Sequence, residues 1–392
     1  MRYILGGNIC IVSLCIFTQS VLAQDKVISA GASVQQIYDS NFSQSQLEDE
    51  EQITAVAAGI GFNKTFSRQQ IVARGGVSRF EHNTYSEFDA TISDAQFNWK
   101  GKWFSQFNTE VEAVRDERLA ERLEFSEKDI VTRDHAKVKL GYGNDGRLAF
   151  HVGAKGIQQT HSNILREPLD FTDDLVFADA GYKTASNSTF VLRVTSGDVQ
   201  YLNEDSEITR NAGIIPDMKY VASDLDFKYR QYELESVWTI SPKTDITFTL
   251  AQLDRDGFIN DGSSEVASID VHWELTPKFN LQGGYSYRQP PVGETSDSPT
   301  KVHAYFISAF WDLTEKFTLS SSAKVREKNF EDVTGELSLT ETLYNITPLV
   351  ITYVPTHALS IVLETGWRKN KSPIDYREYT SYQSALSLKF RY

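Results

Sequence analysis

The stretch Trp311-Asp312-Leu313-Thr314-Glu315-Lys316-Phe317-Thr318-Leu319-Ser320-Ser321-Ser322-Ala323-Lys324-Val325-Arg326 carries the pattern that decides the fold. An aromatic residue closes one segment, a short polar turn follows, and the next segment alternates. From Phe317 onward one face reads Phe317, Leu319, Ser321, Ala323, Val325, and the other Thr318, Ser320, Ser322, Lys324, Arg326. Period two is the mark of a β-strand. Residues 279–288 repeat it: Phe279, Leu281, Gly283, Tyr285 and Tyr287 oppose Asn280, Gln282, Gly284, Ser286 and Arg288. Residues 359–368 set Leu359, Ile361, Leu363 and Trp367 against Ser360, Glu364 and Arg368.

The aromatic–turn–strand unit recurs along the chain. Trp238 precedes Thr-Ile-Ser-Pro-Lys, Trp273 precedes Glu-Leu-Thr-Pro-Lys, and Tyr353 precedes Val-Pro-Thr-His. Upstream, Phe62, Trp99, Tyr142 and Tyr182 occupy the same place before their turns. The eight boundaries from Phe62 to Tyr353 are spaced 37, 43, 40, 56, 35, 38 and 42 residues apart, and the final Tyr392 stands 39 beyond Tyr353. Each interval holds two strands and a longer polar loop, as at 46–51, 115–129, 159–174 and 201–223. Short turns at one end, long loops at the other and a ring of interfacial aromatics describe an outer-membrane β-barrel. Eight turns pair sixteen strands; one more at about 27–37 and one at about 378–392 predict eighteen, with sixteen as the alternative. The expected class is therefore all-β: a transmembrane antiparallel up-and-down barrel with short periplasmic turns, in the outer membrane of a Gram-negative bacterium. The widest interval has room for an extra element.

Composition agrees. The 392 residues include 23 Phe, 18 Tyr and 6 Trp, yet mean hydropathy is only −0.36. In a barrel the rings face lipid while lumen and loops carry charge, which resolves that contrast without a conventional core. Asp and Glu total 53 against 39 Lys and Arg, for a net charge of −14, which argues against a nucleic-acid partner. Arg2 is the only charge before an apolar run, and Val21-Leu22-Ala23 fits a cleavage site. Residues 1–23 read as a cleaved signal peptide, and 24–392 as one barrel domain. Both cysteines, Cys10 and Cys15, lie in the signal. The barrel domain thus has no thiol for disulfides, catalysis or metal binding.

The last strand sets Tyr382, Ser384, Leu386, Leu388, Phe390 and Tyr392 on one face. A terminal aromatic on such a strand resembles the signal read by the outer-membrane insertion machinery, an expected partner together with outer-membrane lipid.

Strand parity gives the expected lumen residues. Arg74, Lys137, Lys139, His151, Lys155, Arg193, Glu233, Glu235, Asp270, Arg288, Lys324, Arg326 and Arg368 face inward if the aromatics Phe62, Trp99, Tyr142, Tyr182, Trp238, Trp273, Trp311, Tyr353 and Tyr392 form the periplasmic girdle. Basic residues prevail, so the lumen either carries a field favouring anionic or polar solutes or simply needs polar groups. Residues 115–128 are the most helix-prone in the chain. They either fold into the pore as a constriction or extend two strands outside the membrane. No H-E-x-x-H or G-x-S-x-G occurs, and the pairs Asp134-His135 and Asp173-Asp174 are isolated. No enzyme, catalytic residue, cofactor or metal is expected.

Tyr38-Asp39-Ser40-Asn41 after the first strand, then Phe88-Asp89, Asp94 and Phe97-Asn98-Trp99, resemble the outer-membrane porins of exopolysaccharide loci, the EpsL-type or VpsM-like barrels. These are similar to the barrel part of poly-N-acetylglucosamine export porins. The resemblance implies eighteen strands and export of a polysaccharide, with a periplasmic export protein as a partner. The alternative is a general or substrate-specific diffusion porin for uptake of small polar or anionic solutes.

Overall fold

A computed structural model describes residues 27–143, 147–210, 218–295, 297–331 and 337–392. The proposed signal segment and its two cysteines lie outside the described residues, as does part of the turn after Tyr142. The strands are β1 (Ile28–Asp39), β2 (Glu51–Phe66), β3 (Gln69–His82), β4 (Ala90–Trp103), β5 (Phe107–Leu119), β6 (Ile130–Tyr142) and β7 (Leu148–His161). Then come β8 (Phe171–Lys183), β9 (Thr189–Tyr201), β10 (Glu207–Arg210), β11 (Met218–Val221), β12 (Phe227–Ser241), β13 (Thr244–Gly257) and β14 (Gly262–Thr276). The last are β15 (Phe279–Arg288), β16 (Lys301–Asp312), β17 (Phe317–Glu331), β18 (Ser338–Thr356), β19 (Leu359–Lys371) and β20 (Tyr379–Arg391).

Eighteen of these form one antiparallel sheet in which sequence neighbours pair, with β9 joined to β12. The sheet closes because β1 pairs β20 from Gly31↔Arg391 to Asp39↔Gln383. Closure leaves no open edge, so backbone donors and acceptors within hydrocarbon stay satisfied. The seam is fastened at its outer end by the Asp39 carboxylate, which accepts from Ser381 Oγ (2.5 Å) and Gln383 Nε2. At its inner end Tyr392 N–H donates to the Ala30 carbonyl at 2.9 Å. The 56-residue interval does hold an extra element: β10 and β11 form a separate two-stranded hairpin in the β9–β12 loop.

The turns after Phe62, Trp99, Trp238, Trp273, Trp311 and Tyr353 fall within a few residues of the expected positions. Tyr142, Tyr182, Trp238, Trp273, Trp311 and Tyr392 are exposed on the outer wall, and Phe62, Trp99 and Tyr353 are half-buried there. Neighbouring rings pack across strands: Tyr353 stacks on Phe317 with centroids 4.5 Å apart, and Tyr142 meets Phe107 edge-on at 5.2 Å. Above the girdle the exposed wall is apolar, as with Val138, Leu140, Val152, Val176, Leu192, Val194 and Leu250.

The expectation of a barrel without a core needs correction at the outer mouth. There Leu169, Leu175, Val199, Tyr201, Ile208, Ala222, Leu225, Phe227 and Tyr229 form a buried apolar cluster on the lumen side. A second holds Ile37, Phe42, Ile53, Ala55, Phe80 and Ala385. The alternating pattern does not reveal them, because loops from distant hairpins supply part of each cluster. Gly293 shows how tightly they meet. Its φ is +91°, and a Cβ there would lie 2.6 Å from both Leu225 Cδ1 and Tyr201 Oη.

Buried carboxylates interlock the loops. Glu51 accepts backbone N–H groups of Asn83, Thr84 and Tyr85 at 2.9–3.1 Å from the next loop along. Asp129 does the same for Ser162 and Asn163 at 2.9 and 3.0 Å. A lone buried charge is costly, so these amides are the reason both acids sit in the interior.

A lipid-face test follows. Val194 is exposed four residues above Phe190, near the middle of the apolar band. Val194→Arg is expected to cost about 2–4 kcal/mol in reversible unfolding from lipid, whereas Gln200→Arg at the outer rim costs about 0–1 kcal/mol.

Candidate functional site

Period two sorts lumen from lipid, and the expected lumen residues lie together on the inward face. On β5–β7, Lys137 is 3.5 Å from Glu110 and 3.6 Å from Glu112. Lys139 is 3.3 Å from Glu110, and His135 3.0 Å from Glu112. Lys155 stands directly beside Lys137 in the register. On β7–β12, His151 meets Asp179 at 2.6 Å, and Arg193 meets Asp179 at 3.6 Å, Glu233 at 2.6 Å and Glu235 at 3.8 Å. This half of the wall is a lattice of alternating charges and not a uniformly basic strip. Asp270 leans over Gly284, where no side chain intervenes. Arg288 pairs with Glu294 at 2.5 Å. Lys324 and Arg326 share the inward face of β17, and Arg326 reaches Glu121 at 3.7 Å.

That last contact spans the barrel, because Glu121 belongs to the 120–129 loop between β5 and β6. Residues 115–119 continue β5, and 120–129 form no helix, so the segment divides the two expectations between them. The loop turns into the lumen and is pinned on several sides. Leu123 packs with Leu343 and Tyr379 of β18 and β20. Arg377 Nη1 donates to the Leu123 carbonyl at 2.9 Å while its Nε and Nη2 hold Glu341 at 2.6 and 2.8 Å. On the near side Arg166 holds Glu124 and Asp129. Arg122 lies over Phe42 and Phe88, 3.7 and 3.4 Å from the ring centroids. Burial pushes its guanidinium down to about 10, against the pull of Asp49, Glu87 and Asp39. It therefore stays charged at neutral pH.

The 289–300 loop closes in from the opposite side. Asp297 meets Lys328 at 2.5 Å and Arg377 at 3.6 Å, so Arg377 ties both loops together. Between the loops and the wall lies a cavity of about 630 Å³ bordered by Arg74, Arg122, Arg368, Asp94, Asp116 and Glu294. Arg74 Nε is buried there without a hydrogen-bond acceptor. Sequence parity reached Arg74 and Arg368. It missed Arg122, Arg166 and Arg377, which sit in loops where no period applies; the helix-prone stretch was the one hint of Arg122.

The adjacent pairs Asp134-His135 and Asp173-Asp174 separate across the wall. His135 faces inward to Glu112, while Asp134 faces outward, 3.8 Å from Arg115. Asp173 accepts from Tyr229 Oη at 3.0 Å inside, and Asp174 is exposed outside. Among the described residues no cluster of three or more His, Asp or Glu suits a metal ion.

No family model matches the chain, and no curated protein does. Solved structures do share its fold. OpdQ of Pseudomonas aeruginosa aligns over 94% of this chain and 98% of its own, with 10% identity and a TM-score of 0.51. OccAB3 of Acinetobacter baumannii aligns over 93% and 99%, with 8% identity and a TM-score of 0.50. The P. aeruginosa outer membrane protein OpdK aligns over 93% and 98%, with 8% identity and a TM-score of 0.50. The closed eighteen-stranded sheet and these likenesses show an outer-membrane β-barrel fold, which places the chain in a Gram-negative outer membrane. They overturn the expected polysaccharide exporter, and they lend no support to the resemblance to exopolysaccharide-locus porins beyond the barrel itself. The three barrels named above are Occ and Opd proteins, and the lumen here is crossed by a pinned loop where a polymer needs an open path.

Two measurements test the crossing. Arg377→Ala leaves Glu341 buried without its cation, which should cost the outer mouth about 3–5 kcal/mol, and it removes the donor to the Leu123 carbonyl, so amide exchange at 121–125 should quicken. Burial pushes the Asp297 carboxyl up, but Lys328 and Arg377 outweigh it and hold the group below its ordinary range. A lowered value means this anchor is complete at neutral pH and is lost as pH falls below about 4. Single-channel conductance should stay level from neutral pH down to that point, then rise or become noisy.

Proposed function

We propose that this protein is a non-enzymatic channel through which small polar or anionic solutes diffuse across the outer membrane into the periplasm. The observation that carries the reading is the narrowed chamber at Arg74 and Arg122. A loop reduces a lumen too wide for wall side chains to fill. The Arg74 Nε there has no hydrogen-bond acceptor among the described residues, and the Arg122 guanidinium lies against the Phe42 and Phe88 rings. An anion entering the chamber supplies the missing acceptor, and exit stays easy because each contact is single. The ion-pair lattice on the opposite wall offers polar contacts along the path without a tight site.

Planar-bilayer recording across a salt gradient tests this. The wild-type channel should pass chloride in preference to potassium. Arg74→Gln with Arg122→Gln should move the reversal potential toward zero without loss of the folded barrel. A cation-selective wild type would overturn the reading. So would liposomes that fail to swell with small sugars and carboxylates.

A further inference from the structure

The outer wall carries a groove that transport through the lumen does not use. It crosses β5–β9 and reaches β12 and β13, with a volume of about 1000 Å³. Its floor is made of small side chains, Ala113, Ala136, Ala154, Gly156 and Ser196. Val138 and Val176 border it and are 48% and 59% exposed. These positions share parity with Tyr142, Tyr182 and Trp238, so the groove faces lipid.

Charged residues stand at one end of it. In the strand register Asp174, Asp198, Lys228 and Asp256 form one row, and Ser196, Arg230 and Asp254 form the row beneath. Lys228 and Arg230 are exposed, and neither makes an ion pair among the described residues. Height fixes their surroundings. Lys228 lies ten residues above the girdle residue Trp238 on β12. At ~3.3 Å per residue and a tilt of ~40°, that is roughly 25 Å along the membrane normal, the height of the apolar band. Lys228 therefore sits at headgroup level on the cell's outer side, and Arg230, eight residues above Trp238, sits roughly 5 Å lower at the top of the apolar groove.

We propose that this groove holds an acyl chain of a phosphorylated glycolipid of the outer leaflet, whose phosphate binds between Lys228 and Arg230. Paired cations suit a phosphate. The flanking carboxylates Asp174, Asp198, Asp254 and Asp256 repel a bare anion but accept hydrogen bonds from sugar hydroxyls. That combination selects a phosphosugar headgroup over a simple phospholipid. The site is independent of what passes the lumen.

Native mass spectrometry of the purified full-length protein in detergent tests it with three probes: a phosphorylated acyl-disaccharide lipid, its dephosphorylated form and phosphatidylglycerol. The first should be retained and the other two lost at the same detergent concentration. Lys228→Glu with Arg230→Glu should lower retention by about tenfold or more. Ala154→Trp, which fills the groove without changing charge, should lower it as well. Both variants should keep wild-type conductance, which shows that the barrel is folded. Retention of the dephosphorylated lipid or of phosphatidylglycerol as strong as that of the phosphorylated one overturns the proposal. Unchanged retention in both variants overturns it too. A wild-type oligomer that Ala154→Trp dissociates, with lipid retention intact, would assign the groove to a second copy of the chain instead.

Discussion

Every feature of this protein depends on one constraint: within hydrocarbon a backbone N–H or C=O has no water to bond, and each unsatisfied group costs several kcal/mol. A sheet meets that constraint only by closing on itself. The β1–β20 pairing is therefore the contact on which the rest relies, and Asp39, Ser381 and Gln383 fasten it at the outer end. Once the sheet is closed, each strand residue has one of two surroundings. Alternation stops being a statistical tendency and becomes an assignment to lipid or lumen. The same rule separates side chains that are adjacent in sequence, as with Asp134 and His135, so neighbouring acids and bases in a strand do not form a site.

Closure also creates a difficulty. Eighteen strands enclose more space than wall side chains can fill. The chain fills part of it with its own outer loops, and those loops need partners of their own. They find them in two ways. Apolar clusters gather at the mouth around Leu225 and Phe42. Buried carboxylates, Glu51, Asp129, Asp297 and Glu341, collect backbone amides or cationic side chains from neighbouring segments. Arg377 holds the 120–129 and 289–300 loops at once, so the width of the passage is set where two loops share one guanidinium. The wall supplies a scaffold, and the loops set the aperture.

Much of this was legible in the residues. The strand count and the extra element between Tyr182 and Trp238 follow from period two and from the spacing of aromatic turns. Both are local signals, and a barrel is built almost wholly from local, sequential pairings. The short motifs around Tyr38 and Phe97 were a poor guide, because residues at strand ends are fixed by turn and mouth packing and say little about cargo. Here Asp39 serves the seam and Asp89 accepts from the His82 backbone N–H at 2.7 Å.

The sequence by itself determined an eighteen-stranded lipid-facing barrel and which face of each strand meets water, because alternation and aromatic boundaries are written residue by residue. Only the tertiary structure decided how narrow the lumen is, which cations line its constriction and where a groove interrupts the outer wall. The aperture arises where loops distant in sequence meet, as Leu123 meets Arg377, and the groove where small side chains of successive strands fall side by side in the register; no period in the sequence records either.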